Sequence, residues 1–245
     1  MKLQDGDILG TYDKGQAQIE FQDGTILNLG QSTQALLLNV PQRRGTRGEA
    51  EIAVLSGWVK IDQKKSAART FRYHTPTAQL TTDEAIAVLH AGPALSEIFI
   101  ESGATKFAEA GKKGTAGSAR TVKGGEFILR KGDQPAVIAS RPSAEFIKSM
   151  PRHFMDRLPV RVDKFKDRKV EPRREHEVTY AEVEAWLKAD PAVRKNLAKR
   201  FQSRAHDKDF RNGLIANLSS HPEWDRILYP EKYLPKSDKS LEKSQ

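Results

Sequence analysis

The stretch that most constrains this chain is Ala17–Gly30, AQIEFQDGTILNLG. Ala17, Ile19 and Phe21 alternate with Gln18, Glu20 and Gln22, the period of a half-buried strand. Asp23-Gly24 then supplies a strong short-range hairpin signal. A two-residue loop would set Phe21 opposite Ile26 and Ile19 opposite Asn28, mixing polar and apolar faces. A three-residue loop, Gln22-Asp23-Gly24, sets Ile19 opposite Leu27 and Ala17 opposite Leu29, all on one face. The spacing therefore predicts a bulged hairpin in which Gly24 takes the left-handed conformation that costs glycine nothing. Asp23 serves turn geometry.

Further strand signals follow at short intervals. Ala35–Val40 is apolar enough to be buried on both faces. Glu51–Leu55 and Trp58–Ile61 flank Ser56-Gly57 and read as a second hairpin, with Val54 facing Val59, Ile52 facing Ile61 and Leu55 paired with Trp58. Phe71–Thr75 and Ala78–Leu80 are strand-like around Pro76, and Ala85–His90 is assigned to a strand by context. Glu97–Glu101 and Ala104–Phe107 flank Ser102-Gly103 as a third hairpin, with Ile98 facing Phe107. Pro41–Gly48, Lys64–Arg69 and Ala108–Thr121 read as loops. Gly125–Arg130 and Ala136–Ala139 make a last strand pair. Roughly ten short strands with no helix before Arg141 predict a mainly β front domain, either a β-sandwich or an irregular β-solenoid of short hairpins. Gly57 and Gly103, like Asp23 and Gly24, are assigned to turns.

The period changes at Arg141. Ser143–Met150 reads as a short helix. Pro151–Pro172 is punctuated by prolines and basic, with nine Lys/Arg against four Asp/Glu between Arg152 and Arg174. This segment is expected to run extended over the front domain. Thr179 with Glu182 forms a capping box, and Asp190-Pro191 an N-cap with proline at the first helical position. Val193, Leu197 and Phe201 mark one helix, and Asp207 caps another carrying Phe210, Leu214 and Leu218. His221–Trp224 opens a short final turn. The expected organisation is a β domain over 1–140, a basic Pro-rich connecting segment over 141–175, a small α-helical C-terminal region over 176–235 and a disordered tail over 236–245.

Charge separates these parts. Residues 1–140 carry 17 Lys/Arg and 15 Asp/Glu, whereas residues 141–245 carry 24 and 17, the larger share of a net charge of +9. The basic excess points to an anionic neighbour for the back third. Its candidate contacts are Arg152, Arg157, Arg161, Lys164, Lys166, Arg168, Arg173 and Arg174. Cysteine is absent, which excludes disulfides, thiolate nucleophiles and cysteine-based zinc sites. No apolar run approaches membrane-spanning length, and the N-terminus does not read as a signal peptide. The six histidines are scattered. Gly111–Thr115 lacks P-loop spacing and context, and no nucleophile-elbow or dinucleotide motif occurs. No RNA- or DNA-binding signature accompanies the basic residues, so nucleic acid is not an expected partner. The expectation is a protein that is not an enzyme and takes no cofactor or metal.

The front half resembles the FecR family of periplasmic regulatory domains. The resemblance rests on Gly6-Asp7 with Thr11, on Ala17-x-Ile19-x-Phe21-x-Asp23-Gly24-Thr25-x-Leu27-x-Leu29 with Ser32-Thr33, on Leu55-x-Gly57-Trp58-Val59-Lys60, and on His74-Thr75-Pro76-Thr77-Ala78. It covers roughly residues 5–105. One departure is Leu80–Val88, where the family usually has Val-x-Gly-Thr-x-Phe. The back third looks like the C-terminal extension of certain proteobacterial FecR-domain proteins, through Arg141-Pro142-Ser143, Met150-Pro151-Arg152-x-Phe154, Leu158-Pro159, Tyr180-Ala181-Glu182-Val183-x-x-Trp186-Leu187 and His221-Pro222-Glu223-Trp224. The resemblance implies a non-enzymatic, periplasmic interaction or scaffold module of a Gram-negative cell envelope, engaged in signalling. Its partner would be an envelope protein or peptidoglycan. Two alternatives from the residues are a carbohydrate-binding or carbohydrate-active protein, using an exposed Trp58 or Tyr73 to stack on sugars, and a structural subunit that assembles through sheet edges.

Overall fold

The opening hairpin has the register that face-matching demands. In the computed structural model, which describes residues 2–40, 48–65, 69–111, 115–165, 171 and 173–233, strand β2 (Ala17–Glu20) pairs antiparallel with β3 (Ile26–Leu29), Ile19 opposite Leu27 and Ala17 opposite Leu29. The Phe21 amide donates to the Thr25 carbonyl (2.9 Å) and the Gly24 amide to the Phe21 carbonyl (3.0 Å). Gly24 has φ +87°, and the Asp23 carboxylate accepts from the Thr25 amide (3.0 Å). Strand β1 (Ile8–Gly10) precedes this hairpin, and β4 (Gln34–Asn39), buried on both faces, follows it.

The second and third hairpins are corrected by the structure. Gly48–Gln63 is one continuous strand, β5, and Leu95–Glu109 is another, β8. Between them lie β6 (Arg69–His74) and the long β7 (Ala78–Gly92). Trp58 pairs with His90, not Leu55, and Ile98 with Leu89, not Phe107. Gly57 (φ +91°) and Gly103 (φ +81°) do adopt the left-handed conformation, but as kinks within strands and not as chain reversals. A Ser-Gly pair satisfies both geometries locally; pairing with distant strands selects the kink. Strand β9 (Arg120–Lys123) lies inside the stretch read as a loop, and β10 (Phe127–Lys131) pairs with β11 (Val137–Ala139) as expected. The loop expected at Pro41–Gly48 falls outside the described residues, apart from Gly48 itself in β5.

All eleven strands form one mixed sheet that does not close. The three long strands each serve two neighbourhoods. The first half of β5 pairs with β4 and β6, its second half with β3 and β7. The first half of β7 pairs with β6 and its second half with β5. Strand β8 pairs with β10 before the kink and β9 after it. Two half-sheets result, with Leu27, Leu29, Val59, Ile61, Leu89 and Ile98 of one sharing a core with Leu37, Ile52, Val54, Phe71, Tyr73 and Phe107 of the other. The rings of Phe21 and Phe71 meet edge-on across it at 5.0 Å. The architecture is thus mainly β, with a small helical C-terminal region. The described chain divides into two compact units, one of residues 1–174 with 190–193, the other of 175–189 with the residues from Arg194 onward.

Helices α1 (Ala144–Ser149) and α2 (Val162–Phe165) belong to the first unit. Later in the chain come α3 (Tyr180–Leu187), α4 (Pro191–Arg194), α5 (Leu197–Arg200), α6 (Lys208–Ala216) and α7 (Asp225–Leu228), of which α4 belongs to the first unit up to Val193. The Thr179–Glu182 capping box forms, Asp190 accepts from the Ala192 amide (2.8 Å), and Asp207 caps α6 at the Phe210 amide (2.9 Å). The single helix expected through Val193, Leu197 and Phe201 is instead two short ones, restarting at Asn196, a residue that favours helix ends. The second unit buries Trp186, Phe210, Leu214 and Trp224. His221 is fully buried there too, its Nε2 3.1 Å from the Tyr180 hydroxyl. The tail expected at 236–245 lies outside the described residues.

A Cβ at Gly57 would lie 2.4 Å from Thr33 Cα, and one at Gly103 2.4 Å from the Glu84 carbonyl oxygen, whereas Gly24 has only the Lys64 side chain at 4.0 Å. Gly24→Ala is expected to cost about 1 kcal/mol, the left-handed penalty alone. Gly57→Ala and Gly103→Ala should each cost about 3 kcal/mol or more, since backbone must move; urea unfolding measures the difference. Burial holds the His221 imidazole below its ordinary value, aided by the nearby Arg194 guanidinium and opposed by Glu223. The folded unit therefore excludes a proton that the unfolded chain accepts. Stability from this site is present above about pH 6.5 and lost below it, by at most about 1.4 kcal/mol per pH unit. His221→Gln should flatten that part of the urea-midpoint profile between about pH 7 and 5.

Candidate partner-binding surface

Alternation along the strands of the first half-sheet sends one set of side chains into the core and the other to the opposite face. Gln18, Asn28, Lys60, Val88, Phe99 and Phe127 form one row across that outer face, in register through β2, β3, β5, β7, β8 and β10. Trp58, His90, Glu97 and Leu129 form the next. Trp58 stacks on His90 at 4.2 Å and 11°, and His90 Nδ1 lies 2.8 Å from the Glu97 carboxylate.

The chain after β11 covers this face. Ser143 caps α1 by accepting from the Phe146 amide (3.1 Å). Phe146 drops between Trp58 and Phe127, with ring centroids at 5.1 and 5.0 Å. Phe154 joins the same buried cluster from a 3-10 turn. Between them Pro151 closes over Gly30, where a Cβ would meet Pro151 Cγ at 3.2 Å and Trp58 Cβ at 3.0 Å. A side chain at that position would press on Trp58 and on the crossing segment, which would have to give by a few tenths of an ångström.

Lys60 fastens it. Only 1% of its side chain is exposed, and Nζ meets the Glu101 carboxylate at 2.9 and 3.0 Å, the Phe154 carbonyl at 2.5 Å and the Asp156 carbonyl at 3.0 Å. Three ammonium protons thus find one carboxylate and two main-chain acceptors. Farther along, Gln18 Nε2 donates to the Pro159 carbonyl (2.7 Å), and the Glu20 carboxylate accepts from the amides of Arg161 (2.7 Å) and Val162 (3.1 Å). Residues 143–162 are held chiefly through their main chain and two phenylalanines.

That mode of docking, with Leu158 also buried and Met150 packed against the cluster, leaves most of the other side chains outward. Arg152, Arg157, Arg161 and Lys164 are exposed, and none makes an ion pair among the described residues. The structure brings these four expected contacts onto one docked segment. Arg173 and Arg174 are exposed beyond it, while Lys166 and Arg168 lie outside the described residues. His153 records the local field: its partial burial, then Arg161 and Lys60, hold its imidazole below the ordinary value. Four large apolar side chains share the segment's surface, Met155 at 57%, Val160 at 53%, Val162 at 55% and Phe165 at 52% exposure. The sequence does not single out Met155, Val160 and Val162, and it marks Lys60 only as part of a motif, without this role. The signal for Lys60 was present: it alternates with Val59 and Ile61 and so had to share the Trp58 face.

Two other assignments change. Trp58 and Tyr73 are buried, so neither offers a stacking face to a sugar, and the carbohydrate reading loses its support. Among the described residues no group of histidine and carboxylate side chains has a metal-holding arrangement, and no helix is long and apolar enough to cross a membrane.

Residues 7–104 match the family described as FecR protein. Two crystal structures of a candidate anti-sigma factor from Parabacteroides distasonis are similar to this chain. One is 13% identical, covering 58% of this chain and 63% of its own length with a TM-score of 0.47, and the other is 11% identical over 58% and 62% with the same score. This chain thus spans under two thirds of those relatives. No curated protein matches it.

Replacing Lys60 by Met leaves the Phe154 and Asp156 carbonyls and the Glu101 carboxylate without their common donor. The expected cost is about 2–3 kcal/mol in urea unfolding. Trypsin cleavage at Arg152 and Arg157 should accelerate, because the main-chain anchor at Phe154 and Asp156 is gone while those of Gln18 and Glu20 remain.

Proposed function

With residues 7–104 forming a FecR-type domain, we propose that this chain is a non-enzymatic regulatory module that works in the periplasm of a Gram-negative cell. It binds an anionic component of the envelope, the class to which an acidic envelope protein and peptidoglycan both belong. The observation that carries this reading is the docked segment 152–165, whose main chain is occupied by Lys60, Gln18 and Glu20 while Arg152, Arg157, Arg161 and Lys164 face outward. A segment held this way presents its charges without paying to order itself at the moment of binding. The family match supports a regulatory context and an envelope location.

Co-sedimentation of the full chain with a washed whole-envelope fraction tests it. Retention is expected at low ionic strength and should fall steeply between about 0.05 and 0.5 M salt, as charges beyond a shortening Debye length stop attracting. Arg152→Glu with Arg157→Glu should abolish most of it while leaving the urea midpoint in place, since both side chains are exposed. Retention indifferent to both salt and charge reversal would refute the electrostatic mode.

A further inference from the structure

The docked segment carries apolar side chains that an electrostatic contact alone does not use. Resting on the reading that this segment is the partner-binding surface, we infer that its partner is the headgroup region of an anionic lipid bilayer. Met155, Val160 and Val162 are each more than half exposed within eight residues of chain, and Arg152, Arg157, Arg161 and Lys164 stand among them. In α2, Val162 and Phe165 are three residues apart and so share one face of the turn, with Arg161 and Lys164 on the neighbouring one. Interleaved cationic and apolar side chains suit the boundary between phosphate headgroups and acyl chains, where the cations stay with the phosphates and the apolar groups sink a few ångströms further. A polysaccharide such as peptidoglycan would take the charges and leave the apolar groups in water.

The main chain strengthens the case. Peptide groups entering a membrane interface unsatisfied are costly. Here the carbonyls of Phe154, Asp156 and Pro159 and the amides of Arg161 and Val162 are already bonded, by Lys60, Gln18 and Glu20 of the domain itself. The outward side chains can therefore approach the interface with those five peptide groups already satisfied. The same bonds hold the segment in place beforehand, so binding does not have to order it.

The test floats the full chain with phosphatidylcholine vesicles, with and without phosphatidylglycerol, beside sedimentation with purified sacculi. Binding is expected to the anionic vesicles and not to the neutral ones. Arg157→Glu should weaken it about fivefold or more, and Met155→Ser with Val162→Ser together about tenfold. All three positions are exposed, and unchanged thermal melts of the variants would establish that they fold. In the Met155→Trp variant, emission should shift to the blue on anionic vesicles and be quenched by brominated acyl chains, against a constant background from the buried Trp58, Trp186 and Trp224. Vesicle binding that ignores Met155→Ser with Val162→Ser, or a fluorophore at 155 that brominated lipid does not quench, would overturn the inference. Binding to sacculi but not to vesicles would overturn it and leave the preceding reading standing. Binding to neither would remove both.

Discussion

The ammonium group of Lys60 is the contact on which the outer face of this domain depends. It sits on β5, reaches the Glu101 carboxylate from β8, and receives the carbonyls of Phe154 and Asp156 from the segment that crosses above. A lysine this deeply buried is costly unless its protons are taken up, and here each has an acceptor. Glu101 can supply one because of a register step: Ile86 pairs with Ser102 but Ala87 with Ile100, so Glu101 is the extra residue of a bulge. The bulge, the lysine and the crossing segment are one construction. The phenylalanines at 146 and 154 add apolar burial, but the main-chain bonds give the crossing its position along the sheet.

The bulges also shape the sheet beneath. Strands β5, β7 and β8 are fifteen or sixteen residues long, too long to stay flat in a twisted sheet around a small core. Kinks at Gly57 and Gly103 let β5 and β8 leave one set of neighbours and join another, so that one continuous sheet encloses its own core. Thr33 secures the first kink, its hydroxyl accepting from the Trp58 amide and donating to the Trp58 carbonyl, both at 3.0 Å. The same kink turns Trp58 and Lys60 onto the outer face. The geometry that closes the core therefore also builds the platform for the crossing segment, and the outward side chains of that segment carry the proposed binding role.

Local chemistry was legible wherever the partner lay close in sequence. The hairpin at 17–30, the capping box at Thr179, the caps at Asp190 and Asp207 and the β10–β11 pair all stand as read. The basic strip was legible as a charge pattern, and its residues from Arg152 to Lys164 do lie together. The failures share a cause. Ser56-Gly57 and Ser102-Gly103 carry a left-handed glycine that serves a hairpin and a strand kink equally well, and the choice between them lies with strands outside the local stretch, Gly57 pairing with Ala91 and Gly103 with Ala85. The exposure of Met155, Val160 and Val162 was equally hidden, because an apolar residue in a proline-punctuated stretch reads as buried until the docking direction of its main chain is known.

By itself, the sequence determined that this chain has a mainly β front part with motifs that resemble the FecR family, ends in short capped helices, and concentrates its positive charge in the back third. Those properties follow from alternation, turn chemistry and composition, which act over a few residues. At Ala17–Gly30 they even specified the register, since only one loop length puts four apolar side chains on a single face. Tertiary structure decided which glycines kink and which turn, where Trp58 and Lys60 point, and which side chains of the connecting segment meet water. Each of those outcomes is set by hydrogen bonds and packing between residues far apart in the chain, as when a lysine at 60 finds its acceptors at 101, 154 and 156.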